Sequence, residues 1–275
     1  YQYAENNRIH NIEPFAKHLQ TKYGIQVSVK SYPTVHAFIE GIQKNEVDVA
    51  LINTFGYLLL QTSQKKHAMQ PLYTLNVRED ARDNYKTAFI APSNSSIHAI
   101  EDISKHATRT KLALVAPGST SGNLVPRLAL SRLGIRDPEK QFAHCFYAGN
   151  HTVAIEKILS KEADLACLGY TAYEKVIQDS ATASRLKLVW ISPEIPLGPV
   201  MVHRNIDAET KKIIGQALLS LHDDNPAAIE SIKEGWSEAK QADRYIEITD
   251  AYYDKFRKTF GRRKDLQRIL VEFAN

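Results

Sequence analysis

The sequence predicts an α/β protein built as two lobes with helices at its C-terminal end. Three observations carry that expectation. The chain is 275 residues long, and at roughly 150 residues per unit that length suggests two lobes. Its hydrophobic pattern alternates between a period near 3.6 and a period of 2. A helix–turn–strand segment also occurs twice.

The elements follow in order. Ile12, Phe15, Leu19 and Tyr23 mark one face of a helix that stops at Gly24. Ile25, Val27 and Val29 alternate with polar residues, which predicts a strand. Thr34 is placed to cap a helix whose apolar face is Val35, Phe38, Ile39 and Ile42. Residues 47–52 read as a buried strand interrupted by Asp48. Further strands are predicted at 86–91, 111–116, 142–147, 163–168 and 186–191. Helices are predicted at 122–133, ended by Gly134, and at 152–160, and helices dominate after 207. Strands alternating with helices point to βαβ units and a mostly parallel sheet.

The repeat pairs residues 36–57 with 152–173 without a gap. Seven of 22 positions are identical: Ile39/Ile155, Glu40/Glu156, Ile42/Ile158, Glu46/Glu162, Asp48/Asp164, Ala50/Ala166 and Tyr57/Tyr173. Two similar lobes make a cleft, and ligands of open α/β sheets sit beyond the carboxyl ends of strands. Here that means just past Ile52, Ala116 and Leu168. Asp48 and Asp164 suit a structural turn role.

Composition narrows the function. The net charge is +4, and residues 250–275 carry seven Lys/Arg against four Asp/Glu, so the rest is nearly neutral. No basic face suited to nucleic acid appears upstream of that tail, which reads as a solvated helix face. No apolar run approaches the ~18 residues that span a bilayer, so the chain reads as soluble. It starts at Tyr1 rather than Met, which points to a processed, exported form. Cys145 and Cys167 are too few for a disulfide framework and fall in separate predicted strands. Nothing in the sequence calls for a cofactor or a metal.

The sharpest motif follows the strand at 111–116: Pro117-Gly118-Ser119-Thr120-Ser121-Gly122-Asn123-Leu124-Val125-Pro126. The first amides of a helix lack intrahelical partners, and the positive end of its dipole favours an anion. Ser119, Thr120 and Ser121 add hydroxyl donors between glycines, where plain capping needs only one. No Lys closes the loop, so it is not a nucleotide P-loop. Pro126 falls near the second turn and is placed to kink the helix. Gly149-Asn150-His151-Thr152 opens the second repeat helix, with His151 in reach of an oxyanion. Tyr85 ends Asp83-Asn84-Tyr85, ahead of a strand. A Ser–His hydrolase using Ser119 or Ser121 with His151 lacks a third member at recognisable spacing.

The Pro-Gly-Ser-Thr-Ser-Gly-Asn-Leu-Val-Pro element, Ala148-Gly149-Asn150-His151 and the stretch Ser192-Pro193-Glu194-Ile195-Pro196-Leu197-Gly198-Pro199-Val200 resemble, in that order, the PhnD-like periplasmic phosphonate-binding proteins of ABC transporters. The similarity runs from about residue 9 to 239. It implies a type II venus-flytrap fold, with one lobe from 1–85 plus about 195–240, the other from 86–194, a C-terminal helical segment at 241–275, and hinges near 86–90 and 191–196. It implies that Ser119, Thr120, Ser121, Gly122, His151 and Tyr85 hold phosphonate oxygens, and Thr54 and Thr171 are further candidate ligand contacts. Relatives that bind aminoethylphosphonate carry acidic residues where Thr171 and Gly198 fall, and a tyrosine where Val35 falls. A bare or short tetrahedral oxyanion is therefore the expected ligand: phosphate, phosphite, methylphosphonate or arsenate. The implied partner is a membrane ABC permease, or a sensor histidine kinase in the sensing relatives; the implied location is periplasmic or lipid-anchored. A thiol contact from Cys167 to trivalent arsenic is a further expectation, with a buried apolar role as its alternative. A phosphoesterase is the alternative from another class.

Overall fold

The computed structural model describes residues 1, 2, 6–78, 80, 81, 85–260 and 263–274. In chain order the elements are α1 (Ile9–Tyr23), α2 (Val35–Gln43), β1 (Val49–Leu51), α3 (Thr54–Thr62), β2 (Met69–Val77), β3 (Thr87–Pro92), α4 (Ile103–His106), β4 (Lys111–Leu114), α5 (Val125–Arg132), α6 (Pro138–Gln141), β5 (His144–Tyr147), α7 (His151–Leu159), β6 (Leu165–Gly169), α8 (Tyr170–Val176), α9 (Ser180–Ala183), β7 (Leu186–Ile191), β8 (Val200–His203), α10 (Ala208–Leu219), α11 (Leu221–Asp224), α12 (Pro226–Gly235), β9 (Ala242–Glu247), α13 (Asp254–Thr259) and α14 (Arg263–Ala274).

The chain divides into two compact units. The first comprises Tyr1–Asn84 and Pro196–Asp254; the second comprises Tyr85–Ile195 and Lys255–Phe273. The backbone therefore passes between them three times.

The first unit is organised on a sheet of order β1-β8-β2-β9 in which every described pairing is antiparallel. Ile42, Phe55, Tyr57 and Leu60 are fully buried in it. The second unit has the order β5-β4-β6-β3-β7. There β4 runs parallel to both β5 and β6, while β3 runs antiparallel to β6 and β7. Its core gathers Phe89, Leu112, Leu114, Leu130, Leu165 and Cys167.

The repeat folds twice into the same unit, α2–β1–α3 in one body and α7–β6–α8 in the other. The matching extends to small features. Thr34 and Asn150 occupy equivalent positions and each accepts the amide three residues on, from Ala37 at 3.1 Å and Val153 at 2.9 Å. Asn45 and Lys161, also equivalent, both take the left-handed conformation, with φ of 57° and 65°. Asp164 has the structural role expected of it: its carboxylate accepts the Lys111 amide at 2.8 Å and tacks β6 to the start of β4.

Several expectations are corrected. Neither sheet is mostly parallel: the described pairings of the first are all antiparallel and the second is mixed, so only two of the seven are parallel. Helix–strand alternation specifies parallel neighbours only where a helix carries the chain back across its own sheet; β3, on which the chain enters the second unit, runs against both of its neighbours, β6 and β7. Residues 25–29 are not a strand. Ile25 and Val29 are half-buried and Val27 is 40% exposed, so the row rests on the surface without a ladder. β2, β8 and β9 were not predicted. The segment at 241–275, expected to be a C-terminal helical segment, opens with β9 before its helices. Its buried residues Ala242 and Tyr245 fall three apart, a helical spacing. A register shift between Asn76 and Val77 of β2 breaks the period of 2 in that ladder.

Candidate functional site

The second unit holds the Ser-Thr-Ser loop. β4 ends at Leu114, and the next amide, of Val115, donates to the Gly122 carbonyl at 3.0 Å. That carbonyl would ordinarily accept the amide four residues on, but residue 126 is proline and has none. The opening turn is wide. The Leu124 amide reaches back five residues to the Ser119 carbonyl at 3.1 Å, and Val125 to Thr120. A five-residue step leaves one more leading amide outside the intrahelical ladder than an α-helix does. Pro126 thus leaves the Gly122 carbonyl to Val115, directly after the wide turn.

Ser119 is the cap, its hydroxyl accepting the Gly122 amide at 3.0 Å. Thr120 and Ser121 follow, each 1% exposed. A Cβ on Gly122 would collide with the Val115 side chain, so the close approach of loop and strand requires glycine there. Thr87 of β3 donates its hydroxyl to the Ser121 carbonyl at 2.8 Å. Two residues before Thr87, Tyr85 is buried and accepts the Ile195 amide on its carbonyl at 2.7 Å. Asp83 and Asn84, which precede it in the motif, lie outside the described residues.

His151 is the first residue of α7. Its Nδ1 accepts the Gly169 amide at 3.0 Å, so in the neutral ring the proton sits on Nε2, which is a donor. Burial pushes its pKa down to about 4, leaving it an uncharged donor at neutral pH. The Ser121 hydroxyl and the imidazole both flank Gly169: a Cβ built there would lie 3.4 Å from both Ser121 Oγ and His151 Cε1. Thr171 is in the first turn of α8, two residues beyond Gly169, and half-buried. The second unit therefore brings Ser119–Gly122, His151, Tyr85 and Thr171 to the ends of β4, β6 and β3.

One buried cation beside the loop is not among the residues the sequence singles out. Arg127 is 2% exposed on its side chain. Its Nε donates to Asn123 Oδ1 at 2.7 Å, its Nη1 donates to Glu139 at 3.1 Å, and its Nη2 donates to Glu139 and to the Tyr147 hydroxyl. Glu272 of α14 stands 3.8 Å away, and the Phe273 ring lies 4.8 Å from the guanidinium carbon. Burial alone would lower the Arg127 pKa; the bonds to Glu139 and Tyr147 more than offset this and leave it raised. Asn123 Nδ2 in turn donates to the Pro117 carbonyl at 2.7 Å, across the mouth of the loop. The signal for it was a lone cation inside the apolar run Leu124–Leu130, four residues after Asn123.

Other candidates are placed differently. Thr54, in the first unit, is fully buried and its hydroxyl donates to the Pro196 carbonyl at 2.6 Å, which commits its proton to the fold. Gly198 packs its backbone on Ile52 and Asn53, where a Cβ would overlap the Ile52 carbonyl oxygen. Val35 is 3% exposed and packs against Gly56. Cys167 does not end a strand facing a ligand. It sits mid-strand in β6, fully buried in the core and opposite Phe89, and burial raises its thiol pKa well above the usual value. That corrects the arsenic-contact expectation. Cys145 and Cys167 are free thiols on strands separated by β4. Two strand spacings, about 10 Å, exceed the ~7 Å limit for a bridge. Among the described residues no cluster of His, Cys, Asp and Glu could hold a metal ion, and no helix is long and apolar enough to cross a membrane.

Comparison with known proteins adds the following. A family model described as "ABC transporter, phosphonate, periplasmic substrate-binding protein" matches residues 2–253. The chain is 26% identical over 202 residues to the phosphonates-binding periplasmic protein of Escherichia coli (strain K12), covering 72% of this chain but only 57% of that relative's length. It is 25% identical over 261 residues to the phosphate-import protein PhnD of Mycolicibacterium smegmatis, covering 89% and 78% of the two chains. Among solved structures, a binding-protein component of an ABC phosphonate transporter from Pseudomonas aeruginosa matches with a TM-score of 0.72 at 22% identity, over 96% of this chain and 83% of that one. PhnD1 of Prochlorococcus marinus, solved in complex with methylphosphonate, matches with a TM-score of 0.71 at 18% identity, over 95% and 92%. These likenesses establish the periplasmic-binding-protein fold.

Proposed function

The chain belongs to the family of periplasmic substrate-binding proteins of phosphonate ABC transporters, and from that premise we propose that it captures a small tetrahedral oxyanion for delivery to a membrane ABC permease. The family is one of binding proteins rather than enzymes, so the phosphoesterase alternative is not carried forward. The ligand is phosphate, phosphite, methylphosphonate or arsenate, in preference to aminoethylphosphonate. Ser119, Thr120, Ser121 and the leading amides of the wide turn supply donors; the Nε2–H of His151 and the Tyr85 hydroxyl complete the set, with Thr171 at its edge.

The observation that carries this reading is that the Ser121 hydroxyl and the neutral His151 imidazole both lie beside Gly169. Hydrogen bonds to a charged acceptor contribute about 1.5–3 kcal/mol each, and micromolar affinity needs about 8 kcal/mol. Four or five uncharged donors therefore suffice without a buried lysine or arginine on the ligand. The preference against an amine rests on two places: Thr171 carries no charge, and Gly198 leaves no room for an acid. Two relatives bear on the choice, one named for phosphate import and one solved with methylphosphonate.

A thermal-shift and calorimetry panel of phosphate, phosphite, methylphosphonate, arsenate, aminoethylphosphonate and sulfate tests this. A ligand present at 100 times its Kd stabilises the protein by about 2.7 kcal/mol. Ser121→Ala should weaken the best ligand about tenfold or more, the equivalent of one charge-assisted bond. Aminoethylphosphonate as the tightest ligand, or unchanged affinity in Ser119→Ala, Thr120→Ala and Ser121→Ala alike, overturns the reading.

A further inference from the structure

We propose that Arg127 is a positioning residue for the oxyanion loop, acting through Asn123, and that helix α14 is part of the same support although it lies far from the loop in sequence. The proposal rests on the binding role given above to the Ser-Thr-Ser loop.

The geometry forms a chain of contacts. The Asn123 carboxamide spans the loop, its nitrogen on the Pro117 carbonyl at 2.7 Å and its oxygen accepting Arg127 Nε at 2.7 Å. The two ends of the Pro117–Asn123 segment are thereby tied by one side chain. Arg127 helps fix which way that carboxamide faces: its guanidinium only donates and so demands the amide oxygen, to which the Tyr147 hydroxyl also donates at 3.4 Å, while the Pro117 carbonyl demands the nitrogen. The guanidinium is itself held by Glu139, by the Tyr147 hydroxyl at 3.1 Å, and by Glu272 and Phe273 of α14. Arg268 of the same helix reaches Ser131 Oγ of α5 at 3.5 Å.

A loop whose donors are already aimed avoids the ordering that a slack loop would undergo on binding. The cation is locally matched by Glu139 and Glu272, so its effect on the ligand runs through the loop's shape. Lysine does not substitute for it. A single ammonium cannot serve Asn123 and Glu139 in the same fork.

The test uses the full chain with inorganic phosphate and methylphosphonate as probes. Affinity is read by calorimetry, and amide hydrogen exchange is followed across residues 118–122. Asn123→Ala, Arg127→Lys and Arg127→Met should each weaken binding about tenfold, as loss of an orienting partner does elsewhere, and should speed exchange of those amides. Glu272→Gln combined with Phe273→Ala should do the same to a smaller degree. Asn123→Ala and Arg127→Lys together should be no worse than either alone, because both break one chain of contacts. A merely structural ion pair would lower the melting temperature while leaving affinity and loop exchange as in the wild type, and that result in Asn123→Ala and Arg127→Lys overturns the proposal. Should the Arg127 variants fail to fold, Asn123→Ala decides, because it leaves the Glu139 pair intact. If the wild type binds neither probe, the binding reading fails; faster exchange at 118–122 in the variants then still supports the positioning role, and unchanged exchange refutes it.

Discussion

At His151 a single hydrogen bond settles the chemistry of the ring. The Gly169 amide occupies Nδ1, so the proton belongs to Nε2, and burial holds the pKa near 4. We expect nitrogen-detected NMR of the free protein to show a neutral Nε2–H tautomer from pH 8 down to about 5. The stability linkage has a definite sign. Between the unfolded value near 6.5 and about 4, the unfolded chain binds more protons at this residue than the folded one. The stability His151 contributes is therefore full above pH 6.5 and lost as pH falls toward 4; His151→Gln should flatten that part of a denaturation–pH profile. At Gly122 the limit is space. Gly122→Ala drives a methyl into Val115, and overpacking of this kind costs about 1–3 kcal/mol, measurable by urea denaturation. The position of the loop, between the end of β4 and a helix start capped by Ser119, was legible in the sequence from the serines and threonine between two glycines. Arg127 was not, because one cation in an apolar helix gives no hint of the Glu139 or Glu272 that it meets through the fold.

Among the elements, helix starts were the most legible parts. Thr34 reads as a cap and makes the expected bond, and its counterpart Asn150 does the same for α7. Replacing Asn150 with Ala should cost about 1 kcal/mol by chemical denaturation. It should also weaken oxyanion binding, because the cap sets the first turn on which His151 stands. Strands were read less well, and each failure has a local cause. β2 carries Pro71 and a register shift before Tyr73, so its alternation is broken. β8 is only four residues long and buried throughout, which gives no period at all. β9 loses its period of 2 to a register shift in its ladder with β2. The wide turn at 120–124 was visible only as Pro126, whose missing amide frees the Gly122 carbonyl for Val115.

For the whole molecule, the duplicated unit was the strongest large-scale signal, since identity at seven of 22 positions was matched by equivalent caps and equivalent left-handed turns. What the repeat could not convey was strand direction, which depends on where the chain enters and leaves each sheet. Charge offers a prediction at this scale. The net charge is +4 with most of the excess in residues 250–275, and the proposed donors are neutral. Ligand affinity should therefore change less than about threefold between 20 and 200 mM salt, where surface charges are increasingly screened. A steep salt dependence in calorimetry would instead indicate a cationic site. The route of the backbone has a consequence for biogenesis. Lys255–Phe273 complete the second unit only after Pro196–Asp254 have been built into the first. During synthesis the loop at 117–123 emerges well over a hundred residues ahead of Glu272 and Phe273, so a nascent chain can display its serines and threonine long before the helix that braces them exists. A ribosome-bound fragment halted short of α14 would then carry the loop without the Glu272 and Phe273 contacts to Arg127.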